Sequence, residues 1–159
     1  MHPFIKYFDN LSQTGFSFET SLLPQLKQLL QACNSTKAVV IDFGCGTKPY
    51  AYLFEDFQGI YLGLDVYPGK NVDIVYNGKQ IPLDNESVDI VFSNSVFEHV
   101  EDITFSLKEI SRVLKPGGSL IAVVPFMGHV HGMPFDYHRL TRFGWESLLK
   151  KSFNDSAKI

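Results

Sequence analysis

Asp42, Gly44, Cys45 and Gly46 stand at the end of the apolar run "VVIDFGCGTKPY", and Asp65 closes the next apolar run, "GIYLGLDV". Two glycines after a buried strand permit a tight turn in which backbone amides approach a ligand without side chains intervening. An acid at the end of the following strand is placed to accept hydrogen bonds from both hydroxyls of a ribose. That pair of features specifies an adenosine-containing ligand; a turn or capping aspartate is the plain structural reading of Asp65. The glycine spacing narrows the choice. A dinucleotide turn reads G-x-G-x-x-G around a pyrophosphate, whereas Pro49 takes the third place here. Asp42 would repel a pyrophosphate and suits a zwitterionic or cationic ligand, which argues against a nicotinamide-dependent oxidoreductase.

A second group of chemistry-bearing residues follows. His99 lies in "VFEHVED", where it either faces an acceptor or orients Glu98 or a helix start. The segment "PFMGHVHGMPFDYHRLTRFGW" adds His129, His131, Asp136, Tyr137, His138 and Arg139. The expectation is that Asp136, Tyr137 and Arg139 brace this loop while His129 or His131 approaches the acceptor. A metal reading is open, since His129 and His131 at i, i+2 share one face of an extended segment. No ligand cluster on rigid elements fixes it, so none is expected.

The elements that must position these groups alternate. "SLLPQLKQLLQAC" places Leu22, Leu26, Leu29 and Leu30 on one helical face, with Ser21 as cap and Pro24 in the first turn. "KAVVIDF", "GIYLGLDV", "VDIVYN", "SVDIVFSN" and "SLIAVVP" are short apolar runs rich in β-branched residues, as in strands buried on both faces. A helix is expected over 46–57 with Tyr52, Leu53 and Phe57 inward. Another follows Asp102, with Ile103, Leu107, Ile110 and Leu114 inward and Lys115-Pro116-Gly117-Gly118 as its stop. A last helix begins at Thr141. Such alternation implies a three-layer α/β domain with a mainly parallel sheet. Its ligands bind beyond the carboxyl ends of the strands, where Asp42 to Gly46, Asp65, Asn77, Ser93 and Asn94 converge.

Composition agrees with one soluble globular domain. The 159 residues suffice for one core, 45% are apolar, and a net charge of −3 leaves no footprint for nucleic acid or an anionic membrane. With no signal peptide read at the N-terminus and two cysteines, Cys33 and Cys45, too few for a disulfide framework, a cytoplasmic location is expected.

The ordered set "VVIDFGCGTKPY", "GLDV", "NGKQIPLDNESVDIVFSNSVFEHVED" and "EISRVLKPGGSLIAVVP" resembles the successive motifs of class I S-adenosylmethionine-dependent methyltransferases, in particular the methyltransferase type 11-like branch. The resemblance covers roughly residues 38 to 150. It implies a Rossmann-like αβα fold and methyl transfer from S-adenosylmethionine, leaving S-adenosylhomocysteine. It also implies a cofactor site: Asp42, Gly44, Cys45 and Gly46 against the methionine part, Asp65 on the ribose, Val66 beside the adenine, Asn77 and Gly78 near the adenine amino group, and Ser93 and Asn94 bordering the transfer site. Asn77 stands where the family has an aspartate. The loop pattern H-x-x-P-x-D-Y-x-R-x-T resembles that of methyltransferases linked to glycan synthesis, so the acceptor is expected to be a small molecule or glycan-related.

On this reading residues 1–37 are an aromatic and helical N-terminal segment, 38–125 the cofactor-binding core and 126–159 the acceptor-side loop and last helix. The N-terminal aromatics are expected to pack, with a lid as the alternative. The family's sixth and seventh strands are expected to be absent. "SLIAVVP", residues 119–124 above all, would then be an open apolar edge, to be covered by a homodimer or partner. The alternative function is a cofactor-binding module or inactive partner subunit.

Overall fold

The computed structural model describes residues 23–153 and the backbone of residues 4–9. Its elements run β1 (Phe4–Asp9), α1 (Leu23–Cys33), β2 (Val39–Phe43), a 3₁₀ turn (Ala51–Phe54), β3 (Ile60–Asp65), β4 (Ile74–Val75), β5 (Val88–Asn94), a 3₁₀ turn (Phe97–His99), α2 (Ile103–Val113), β6 (Leu114–Val124) and α3 (Arg142–Ser152). The strands form one sheet in the order β1-β6-β5-β2-β3-β4, and every pairing is parallel. From β2 the chain steps outward through β3 to β4, then returns to the other side of β2 for β5 and β6. The switch in direction therefore falls between β2 and β5, where open α/β sheets bind ligands.

Alternation along the central strands explains the three layers. Val40, Ile90, Phe92, Ile121 and Val123 pack on Leu26 and Leu30 of α1. Ile41, Phe43, Val91, Leu120, Ala122 and Val124 face the other way, onto Leu107 and Ile110 of α2 and Trp145 and Leu149 of α3. Both faces of the sheet are thus dry, which is why its strands read as continuous apolar runs. The predicted caps hold: Asp102 Oδ1 accepts from Phe105 N at 2.9 Å, and Thr141 Oγ1 accepts from Gly144 N at 3.3 Å.

Four expectations are corrected. Residues 46–57 do not form a helix; only Ala51–Phe54 turn helically. Gly46 and Lys48 sit at φ of 51° and 55°, and these left-handed positions ahead of Pro49 break any helical run. Within that segment Phe54 is buried while Tyr52 is half exposed. "VDIVYN" contributes only the two residues of β4, because Asp73 turns its carboxylate back to Gly63 N at 2.7 Å. The helix stops where expected, but the last strand begins before Ser119: β6 starts directly at Leu114, which was expected on the helix face, with an irregular register between Val88 and Ile90. Finally, the edge at residues 119–124 is not open. β1 pairs along it from Phe4↔Ser119 to Asp9↔Val124, so the chain's own strand supplies the backbone partner. Ser21, Leu22 and the remaining N-terminal aromatics lie outside the described residues.

Candidate functional site

The carboxyl ends of β2, β3 and β5 open onto a cavity of about 1020 Å³. One end is walled by Gly44, Asp65, Val66 and Gly78, the other by His99, Phe105, Gly132 and Phe135. Gly44 is required at the centre. Its φ is +72°, and a Cβ there would lie 2.5 Å from both methyl carbons of Val96. Its amide and that of Cys45 both donate to Leu64 O, at 2.8 and 3.2 Å, carrying the β2–β3 pairing into the turn.

Asp65 ends β3 at the cavity wall. Oδ2 accepts from Gly46 N at 2.9 Å and Oδ1 from Tyr67 N at 3.0 Å. A carboxylate has about four acceptor positions, so both oxygens can still receive ribose hydroxyls. The glycine turn and the acid are therefore one hydrogen-bonded unit. Below it, Lys48 forms an ion pair with Asp73 and lies over the Tyr61 ring at 4.8 Å, while Asn71 Nδ2 donates to Thr47 O at 2.6 Å.

Asp42, Cys45, Asn77, Ser93 and Asn94 are not among the residues that line the cavity. Asp42 is buried and accepts from Tyr61 Oη at 2.5 Å. Burial pushes its carboxyl up to about 6, against the downward pull of the Tyr61 bond and of Lys48. Cys45 is buried too, and that pushes its thiol up to about 11. Ser93 is wholly buried, and its hydroxyl lacks a hydrogen-bond partner among the described residues. Asn94 Oδ1 is taken by Ser95 Oγ at 2.9 Å. Asn77 Oδ1 accepts from Lys79 N at 3.0 Å, an Asx turn that uses one of the two lone pairs of the carbonyl expected to meet the adenine.

At the far end, the segment after β6 folds back over His99. Asp136 and Arg139 pair through two bonds, Nη1–Oδ1 at 2.5 Å and Nη2–Oδ2 at 2.8 Å, and Arg139 holds the Asp136 carboxyl down to about 2. Asp136 also accepts from His131 N at 2.9 Å, so the pair braces the loop as expected. Of the three candidate histidines, His99 lines the cavity and His131 stacks edge-on against it with ring centroids 4.8 Å apart. The exposed His129 joins this group only through its carbonyl.

Two features go beyond the sequence reading. Glu98, named there only as a residue that His99 could orient, is wholly buried and faces His131 as well as His99. Arg112 was unassigned, yet it donates to Ile81 O and Leu83 O and clasps Glu109, fixing the connection into β5.

Comparison with known proteins agrees with this architecture. Residues 41–122 match the family described as "Methyltransferase domain". An uncharacterised protein of Methanocaldococcus jannaschii is 32% identical over 126 residues, covering 76% of this chain and 53% of that one. A probable S-adenosylmethionine-dependent methyltransferase of Mycolicibacterium smegmatis is 35% identical over 98 residues, covering 54% of this chain and 37% of that one. The chain thus spans about half or less of the length of these curated relatives. Among solved structures, a methyltransferase of Haloferax volcanii in complex with the Trm112 methyltransferase activator superposes with a TM-score of 0.62 at 24% identity, over 85% of this chain and 70% of that one. Among the described residues no helix is long and apolar enough to cross a membrane. With the αβα fold, the glycine turn and the acid at the end of β3 all in place, the chain belongs to the methyltransferase domain family, class I and S-adenosylmethionine-dependent.

Proposed function

We propose that this chain transfers the methyl group of S-adenosylmethionine to a small-molecule acceptor, glycan-related acceptors being the class its loop pattern suggests. The observation that carries the reading is that Gly44 and Asp65, at the carboxyl ends of β2 and β3, line the same cavity as His99. At about 1020 Å³ the cavity reaches the top of the ~300–1,000 Å³ range of small-molecule sites, room for donor and acceptor together.

When bound, S-adenosylmethionine supplies a methyl group already activated by its sulfonium, so the acceptor's lone pair forms the new bond as the S–C bond breaks, leaving S-adenosylhomocysteine and a proton. The chain's own residues position and enclose. Asp65 and Val66 would hold the nucleoside, and Gly44 would give the backbone its close approach. His99, Phe105 and Phe135 form the acceptor side. Alignment and water exclusion can supply most of the acceleration in such a displacement. The rest of the cofactor set, Asp42, Cys45, Gly46, Asn77, Gly78, Ser93 and Asn94, would shape this site mainly from behind the wall or along its rim.

The test is calorimetric titration with S-adenosylhomocysteine. The chain should bind it, and Asp65→Ala should weaken binding by about 1.5–3 kcal/mol, the value of hydrogen bonds to a charged group. A folded Asp65→Ala variant with unchanged affinity would remove the ribose assignment.

A further inference from the structure

Glu98 presents an unusual problem for a buried residue. It is 0% exposed, and neither carboxylate oxygen has a hydrogen-bond partner. A buried, unpaired carboxylate is costly unless something of opposite charge meets it. Two imidazole nitrogens face it instead: His99 Nε2 lies 3.9 Å and His131 Nε2 3.8 Å from Oε1. The three ligand atoms all lie within 4.8 Å of one another.

Both rings are fixed through their other nitrogen. His99 Nδ1 is 2.8 Å from Phe135 O, and His131 Nδ1 is 3.1 Å from His129 O and 3.6 Å from Asp136 Oδ2. A carbonyl oxygen only accepts, so the neutral His99 ring carries its proton on Nδ1 and a lone pair on Nε2, and the 3.1 Å contact to His129 O, shorter than the one to Arg139, favours the same tautomer for His131. Arg139 Nη2 also approaches His131 Nδ1, at 3.4 Å, but its charge is already matched by Asp136. With both rings neutral, two Nε2 lone pairs and a carboxylate converge. Metal-binding histidines are held in this way, with the second ring N–H on a carbonyl or carboxylate. Gly132 makes the convergence possible: a Cβ there would sit 2.9 Å from His99 Cε1.

We propose that Glu98, His99 and His131 bind a divalent first-row transition metal ion such as Zn²⁺. Two imidazoles and one carboxylate suit such ions, and three protein ligands leave coordination positions open. Ligands about 2.0–2.2 Å from zinc stand roughly 3.4 Å apart on a tetrahedron. The observed 3.8 and 3.9 Å to Glu98, with all three atoms within 4.8 Å, reach that spacing when the three side chains draw together around the ion, His131, about half exposed, having the most room to move. His99 and Gly132 also wall the acceptor end of the cavity. An oxygen-bearing acceptor could therefore complete the ion's shell, a consequence that rests on the methyl-transfer reading.

The metal site itself does not rest on that reading, and it is tested without cofactor. Tag-free chain, stripped with chelator and dialysed, is titrated with Zn²⁺ by calorimetry and with Co²⁺ by visible absorption. One equivalent should bind, with Co²⁺ giving the d–d bands of a nitrogen–oxygen site. Glu98→Gln and His131→Asn should each weaken Zn²⁺ by more than the roughly 10–100-fold lost with an outer-shell partner. His129→Ala should bind as the unaltered chain does. His131 is exposed enough for its variant to fold, which melting curves would verify. Folded chain that binds neither ion, or binding that survives both Glu98→Gln and His131→Asn, overturns the site. S-adenosylhomocysteine titrated into the same samples reports separately on the donor end.

Discussion

Tyr61 and Asp42 meet on neighbouring strands, with the phenol Oη donating to Asp42 Oδ2 at 2.5 Å beneath the glycine turn. The bond partly compensates a carboxylate that burial otherwise disfavours: the Asp42 carboxyl rises from its ordinary 3.8 to about 6. The folded chain therefore keeps a proton over this interval that the unfolded chain releases. Stability from this group is present in full below pH 4 and is lost as pH rises through about 6. By the linkage of about 1.4 kcal/mol per pKa unit, the loss is about 3 kcal/mol. Asp42→Asn removes the titration. Urea midpoints of the two proteins should agree best near pH 4, and the asparagine variant should gain on the native chain between pH 4 and 7.

Tyr61→Phe leaves Asp42 buried without its donor. Unfolding free energy at pH 7 should drop by about 1–3 kcal/mol, the cost of an unsatisfied buried acceptor. Adding Asp42→Asn to Tyr61→Phe should recover part of the loss. A double variant no more stable than Tyr61→Phe would mean that the loss does not come from the unpaired carboxylate, since the ring's stacking on Phe54, with centroids 4.0 Å apart, is kept in both.

Gly132→Ala combines a close contact with a left-handed backbone, φ +62°. The backbone alone costs roughly 1–2 kcal/mol, and His99 must also move. Melting should fall accordingly, while S-adenosylhomocysteine affinity should stay within a few-fold because the Asp65 end is untouched. A large loss of that affinity would show that the two ends of the cavity are mechanically coupled.

Arg112→Lys should behave almost as badly as Arg112→Ala. The guanidinium reaches Ile81 O at 2.8 Å, Leu83 O at 2.9 Å and both oxygens of Glu109 at once, a fork that an ammonium cannot reproduce. Each should lower stability by about 2–3 kcal/mol, within the range for bonds to charged groups. Urea denaturation followed by Trp145 fluorescence measures it.

Much of this architecture is legible from local pattern. Val39–Phe43, Ile60–Asp65 and Val88–Asn94 are strands wherever a buried parallel sheet is assumed, because their apolar runs leave no solvent face. Asp102 and Thr141 cap helices because their side chains need only nearby amides. What local pattern misses depends on distant partners. Phe4–Asp9 carries no period that announces a strand; it becomes one by meeting β6 at the other end of the chain. The Asp65 end of the site was readable because glycine, acid and strand lie in one register. Glu98 was not, since its significance comes from His131, which the sequence places on a different loop.

Glu98 also has a main-chain role. Its carbonyl receives Tyr137 N at 2.8 Å and His138 N at 3.3 Å, mooring the loop that follows β6 to the turn that follows β5. Those two amides are shielded by one oxygen rather than by a sheet ladder. Their deuterium uptake therefore clocks the loop's own opening, which requires no strand to separate. The fraction of time for which the far wall of the cavity stays shut is written in the exchange of two hydrogens, and the rest of the molecule can remain folded while it is read.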